Sequence, residues 1–166
     1  TTKDSNNMWG KPQKMGSSIN TPYEEQSPFI HPDNRTLYFS SEGHTSIGKK
    51  DIFYSRRNKK GKWSKPYNLG MPINDKKDNG DFFVSTDGKT AFFAKENENE
   101  QFGWDVFSFP LHVRARPKKV LLMKGSLKDE NGEALKYATI KITDNNSNKS
   151  SEINVGSGGN YSFIQS

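Results

Sequence analysis

The chain repeats itself at a fixed interval of 54 residues, and this constrains its fold more than any other feature. The stretch "WGKPQKMGSSIN" at 9–20 returns as "WSKPYNLGMPIN" at 63–74, and the offset then runs on without a gap. Phe29 falls on Phe83, Asp33 on Asp87, Thr36 on Thr90, Phe39 on Phe93, Asp51 on Asp105 and Phe53 on Phe107. Ile30 with Val84, Tyr38 with Phe92 and Ile52 with Val106 are conservative matches in the same register. Chance does not keep register over such a span. A sequence period of this size marks supersecondary units that stack because none can bury its apolar face alone.

Each unit reads as four short strands: 27–30 and 81–85, then 36–41 and 90–95, then 51–56 and 105–109, and last 63–68, echoed by 9–14. These segments are rich in aromatic and β-branched residues, which suit a pleated, half-buried surface. Pro12 and Pro66 fall in the fourth strand, and a proline cannot donate to a ladder, so that strand is expected at an edge. Helical periodicity is nowhere sustained. The expectation is an all-β chain whose residues 1–112 form four-stranded antiparallel blades of a partial β-propeller. The sequence opens on the last strand of one unit, holds one complete unit and most of another, and is expected to be the C-terminal part of a larger propeller.

After Pro110 the period stops. Residues 113–119 read as an extended connector, with Pro117 barring a central strand. Residues 120–166 read as a small antiparallel β-sandwich, cut off before it closes. Its expected strands are 120–127, 137–143, a segment around Ile153 and Val155, and a last one through Tyr161 and Phe163. Asp129–Gly132 and Gly158–Gly159 supply the turns.

Only 30% of the 166 residues are apolar, yet 12% are aromatic, which points to small aromatic-rich cores rather than disorder. Cysteine is absent, which excludes disulfides and thiol chemistry within these residues. The net charge of +6 comes from lysines scattered through loops and not gathered in a stripe, so a solvated surface is expected and nucleic acid is not. No apolar run approaches the roughly 18 residues of a membrane-spanning helix.

The chemically loaded residues read mostly as architecture. Asp33 in "PDNRT" and Asp87 in "TDGKT" recur once per unit, as a turn must and a catalytic acid need not. They are expected to accept backbone N–H groups in hairpin turns, with Asn34 or Gly88 in the left-handed position. Asp51 and Asp105 are expected to fix the entrance to the third strand. His31, His44 and His112 follow no metal-ligand spacing, and "DKKDNGD" at 75–81 lacks the alternating ligands of a calcium loop. No Gly-x-Ser-x-Gly nucleophile elbow occurs. No catalytic, cofactor-binding or metal-binding residue is expected, and no cofactor. What remains is interaction. The loops at 42–50, 70–80 and 96–104 should share one face, where His44, Lys49, Lys50, Phe102 and Trp104 are candidate partner-binding residues. Trp104 has the alternative of packing between blades.

The blocks "SPFIHPDNRTLYFSS" and "DFFVSTDGKTAFFAK", each followed by Asp-Ile-Phe or Asp-Val-Phe, resemble TolB-type propeller repeats. "KGSLKDENGEALKYATIKI" and "GSGGNYSF" resemble the carboxypeptidase regulatory-like domain, a transthyretin-like or Ig-like sandwich. Asn34 departs from the propeller pattern, where a turn glycine is usual. The order of the two modules is similar to that in OmpA-family lipoproteins of the Bacteroidota, including one that serves type IX secretion. The resemblance implies a non-enzymatic scaffold in the periplasm, associated with the outer membrane only through a lipid anchor outside these residues. Its partners would be secretion or motility subunits, with peptidoglycan gripped by a domain outside these residues. The alternative is a propeller module that binds a periplasmic glycan or peptide.

Overall fold

The computed structural model describes residues 4, 6, 8–96, 104–145, 148 and 150–165, with Glu96 and Trp104 described in backbone only. The chain is all-β with antiparallel sheets, and no α-helix occurs among the described residues. It divides into two compact units, Thr1–Lys118 and Lys119–Ser166.

In the first unit, β1 (Glu25–Ile30), β2 (Thr36–Ser41), β3 (Asp51–Arg56) and β4 (Tyr67–Asn68) form one meander in that order. A second meander follows with β5 (Gly80–Val84), β6 (Thr90–Glu96) and β7 (Trp104–Pro110). The sequence period is the structural period. Tyr38 faces Tyr54 and Phe39 faces Phe53 across β2 and β3, while Phe92 faces Ser108 and Phe93 faces Phe107 across β6 and β7.

Every residue of β2 is buried, because the strand alternates between two cores. Tyr38 points to the second sheet, where Tyr38, Ile52, Phe82, Val84 and Ala91 form the larger core. Leu37 and Phe39 point the other way, onto Phe53 and Ile19, with Trp63 at the margin. The sheets stack so that equivalent positions meet. Phe29 lies edge-on to Phe83 at 6.3 Å, the Ser27 hydroxyl donates to Asp81 at 2.7 Å, and His31 Nε2 lies 3.1 Å from the Ser85 carbonyl oxygen. Each of these pairs is 54 residues apart. One rotation that carries the first sheet onto the second therefore also brings equivalents into contact.

The expected fourth strand is mostly missing. Over 63–68 the ladder is an Arg57–Trp63 bridge and the two residues of β4, and 9–14 contribute no strand among the described residues. Pro66 has no N–H to give. The Ser64 hydroxyl fills part of the gap, accepting the Arg56 N–H at 3.1 Å.

Residues 113–118 of the expected connector pack on the first unit, with a 3₁₀ turn at Val113–Ala115. Tyr38 donates its hydroxyl to the Ala115 carbonyl at 2.6 Å, and Arg56 Nη2 donates to the carbonyls of Arg114 and Arg116 at 2.7 and 2.8 Å. This strap makes two equivalent turns unequal. Asp33 accepts the N–H groups of Arg35 and Thr36 and the Thr36 hydroxyl, as its turn requires, and the strap adds the Lys118 N–H at 2.9 Å. Asp33 is buried, while Asp87, which accepts the Lys89 N–H and the Ser85 hydroxyl, is exposed.

In the second unit, β8 (Leu121–Ser126) pairs with β11 (Asn160–Gln165), and β9 (Thr139–Thr143) pairs with β10 (Ser150–Asn154). Both are two-stranded antiparallel sheets. The strand expected from 137 begins at Thr139, and Tyr137 just ahead of it takes a left-handed φ of 57° that interrupts the extended backbone. Asp129 accepts the N–H groups of Asn131 and Glu133, which folds the turn that Gly132 closes at φ 85°.

Burial alone would raise the Asp33 carboxyl, but its hydrogen bonds outweigh burial and hold it below the ordinary value. Asp33→Ala should therefore cost about 2–3 kcal/mol in urea unfolding, because four donors, two of them the buried N–H and hydroxyl of Thr36, lose their acceptor at once. Asp87→Ala should cost about 1 kcal/mol or less. A depressed carboxyl contributes stability above its unfolded value of about 3.9, and this is lost as pH falls through the folded value. Asp33→Asn should therefore show a shallower loss of stability on acidification than the wild-type chain.

Candidate functional site

The first unit carries a polar cleft of about 540 Å³ where β1 and β5 begin. Its walls include Gln26, Ser27, Ser40, Lys50, Asp81 and Lys95. Two local features shape it. Both first strands carry an irregularity in register, between Gln26 and Phe29 and between Gly80 and Phe82. At these bulges Ser27 and Asp81 take left-handed φ values of 47° and 50°. Such backbone costs a non-glycine residue on the order of 1–2 kcal/mol, and it turns the side chain out of the alternation of the strand. Here it turns Ser27 and Asp81 toward each other, hydroxyl to carboxylate.

The loops above are braced from below. Asp51 is fully buried and accepts the N–H groups of Ile47 and Gly48 and the amide of Asn68, which holds the loop at 42–50. The buried Asn79 gives its N–H to the Lys50 carbonyl and accepts the Asp75 N–H, tying the loop at 75–80 to the first. Lys95 then bonds Asp75. That hydrogen bond is the main reason the Asp75 carboxyl lies below its ordinary value; partial burial opposes it, and the Lys77 N–H and the Asn79 amide add to it.

Of the residues singled out from sequence, Lys50 lines the cleft, donating to Gln26 Oε1 at 2.9 Å with Glu24 at 3.7 Å. His44 is half-buried against the smaller core: its ring packs 5.3 Å from Phe53 and 5.8 Å from Phe39, and Nε2 lies 3.1 Å from the Ile19 carbonyl oxygen. Lys49 is exposed and is not among the residues of the cleft wall. Phe102 lies outside the described residues. Trp104 opens β7 opposite Glu96, and its side chain lies outside the description as well. The loops at 42–50 and 70–80 do meet, while most of 96–104 falls outside the described residues.

Sequence reasoning missed Ser27, Asp81, Asn79 and Lys95. A usable signal was present for the first two: a polar residue at the same repeat position, two residues ahead of a phenylalanine, in both units. No group of three or more His, Asp or Glu side chains converges on a metal-sized site among the described residues. The cleft offers alternating ammonium, hydroxyl, amide and carboxylate groups, a set that matches a ligand rich in hydroxyls or peptide groups. Compared with family models, with curated proteins and with solved structures, the chain has no match in any of the three.

Replacing Lys95 by Met removes the main support of the Asp75 carboxylate. The Asp75 pKa, followed by carboxyl NMR titration, should move upward in Lys95→Met. The wild-type contribution of the pair should be present above the ordinary carboxylate range and lost as pH falls through the lowered value.

Proposed function

We propose that the first unit is two adjacent blades of a β-propeller, and that the chain is a non-enzymatic scaffold in the periplasm. In this reading it belongs to an OmpA-family lipoprotein associated with the outer membrane and tethered to peptidoglycan, in type IX secretion or gliding machinery. The observation that carries the blade reading is the meeting of residues 54 apart along β1 and β5, since successive blades about a common axis bring equivalent inner-strand residues together. The family reading rests on the "SPFIHPDNRTLYFSS" and "KGSLKDENGEALKYATIKI" resemblances and on the order of the two modules. The second unit is then a transthyretin-like sandwich. Secretion or motility subunits would dock on the braced loops, and a domain outside these residues would grip peptidoglycan.

A second reading, a propeller module for a periplasmic glycan or peptide, is favoured by the cleft at Ser27 and Asp81. Affinity purification from a cell envelope under mild detergent separates the two. Co-purification of secretion or motility subunits, reduced by Lys49→Glu and Lys50→Glu together, is the result expected of the scaffold. A glycan-array signal without any protein partner, abolished by Asp81→Ala, would instead favour the binder and overturn the scaffold.

A further inference from the structure

The strand register of the first unit sorts charge between its two ends. Residues 31–35, 56–65, 85–89 and 111–118 lie at the end where β1, β3, β5 and β7 finish. They hold eleven Lys and Arg against two acids, Asp33 and Asp87. At the other end, 20–25, 42–51 and 70–81 hold seven acids against four lysines. Cations that stand apart in sequence are thus gathered by the meanders. Hydrogen bonds join the basic end into one surface. The Arg57 N–H donates to the Arg35 carbonyl and the Leu111 N–H to the Lys89 carbonyl, both at 2.7 Å, and the Lys118 N–H reaches Asp33.

Arginine and lysine divide the work at this end. The guanidinium groups hold the connections together: Arg56 on the strap carbonyls, Arg57 Nη2 on the carbonyl and side-chain oxygens of Asn34 at 2.7 Å, and Arg116 Nε on the Leu111 carbonyl at 2.7 Å. The lysines are left facing water. Lys59, Lys60, Lys62, Lys89 and Lys118 are exposed, and none of them forms an ion pair among the described residues. A folded tip presents three of these, where Asn58 Oδ1 accepts the N–H groups of Lys60 and Lys62 and Gly61 turns at φ 79°. Asp33 offers them nothing, because it is buried with its carboxylate shared among four donors. Val113 is the one large apolar side chain exposed in these connections, and Trp63 is half-buried with the Arg57 guanidinium 5.5 Å from its ring.

We propose that this basic end binds the phosphates of anionic phospholipid at a membrane surface. Protein interfaces and nucleic-acid bases are recognised through free arginine forks and exposed aromatic rings. Here the forks of Arg56 and Arg57 are occupied and no exposed aromatic side chain stands among these connections. A layer of lipid phosphates asks only for ammonium charge presented across a surface, and imposes no register. With Val113 as its one exposed apolar group, the end rests on headgroups and does not enter the acyl region. The inference goes beyond the scaffold reading and does not rest on the family resemblance. It rests on the strand ends, which further blades, stacking on the sheet faces, would leave open.

Co-sedimentation of the full chain with vesicles tests it. The chain should bind vesicles of phosphatidylglycerol with phosphatidylcholine, and not vesicles of phosphatidylcholine alone. Raising NaCl from about 0.1 M to about 1 M shortens the screening length from about 10 to about 3 Å and should release it. Lys60→Glu, at the exposed tip, should weaken binding about 30-fold, from a loss of about 1 kcal/mol for each unit of charge. Lys89→Glu, on a separate connection, should weaken it likewise. Lys76→Glu makes the same change of net charge at the opposite end, and should change the affinity by about twofold or less. Three results would overturn the proposal: no binding to the anionic vesicles at low salt, binding that survives high salt, or equal losses in Lys60→Glu and Lys76→Glu. Binding to soluble polyglutamate but not to the vesicles would also overturn it, and would assign this end to an acidic protein.

Discussion

Everything in the first unit depends on the stacking of one sheet on the next through the face that holds Tyr38. The Tyr38 ring sits 5.1 Å from Phe82 and 6.2 Å from Phe29, so it touches both its own sheet and the neighbouring one. A four-stranded meander with one wet face would be marginal, because half of its aromatic surface would stay in water. Stacking removes that surface on one side of β2, and the loop bearing Ile19 removes it on the other. The strap at 113–118 then anchors to the same tyrosine, through its hydroxyl. Burial pushes that hydroxyl far above its ordinary pKa, so it remains a donor throughout the range in which the chain is folded.

The strands closest to this contact were the ones most legible in sequence. β2 and β3 span the residues that the alternation of aromatic, β-branched and small polar residues marks out, 36–41 and 51–56. The polar positions of these strands are legible too: Ser40, Ser41 and Ser55 are buried but small, and each finds an oxygen partner nearby. Legibility falls toward the outer edge. Over 63–68 the residue types resemble a strand, yet the ladder is set by which N–H groups exist and which side chains replace them. Pro66 and Ser64 decide that, and periodicity does not report it.

The site was less legible than the fold, for a related reason. A bulge shifts a side chain to the other face, so a reading that assumes strict alternation assigns Ser27 and Asp81 to the wrong surroundings. His44 is a second case in which residue type left the surroundings open. Its place in a charged loop suggested a surface anchor, and in the structure its half-buried ring also packs on the Phe39 and Phe53 rings. Asn79 and Asp51, which hold the loops in place, are polar residues that satisfy backbone groups, and residue type alone does not separate these from solvated ones.

A repeat also hides the positions where its copies differ, and those differences carry the specificity of this chain. Asp33 and Asp87 occupy the same turn, but only Asp33 accepts the strap's Lys118 N–H and is buried. Asn74 and Asn20 occupy the same loop position, but only Asn74 has a strand to clamp among the described residues. Lys50 and Trp104 stand at the same position before the third strand, and Lys50 faces the cleft. In each case the shared residue or position fixes the local backbone, and the neighbour decides what the side chain does. The equivalence of the units therefore accounts for the fold, and the departures from it set the chemistry of the surfaces that the fold presents.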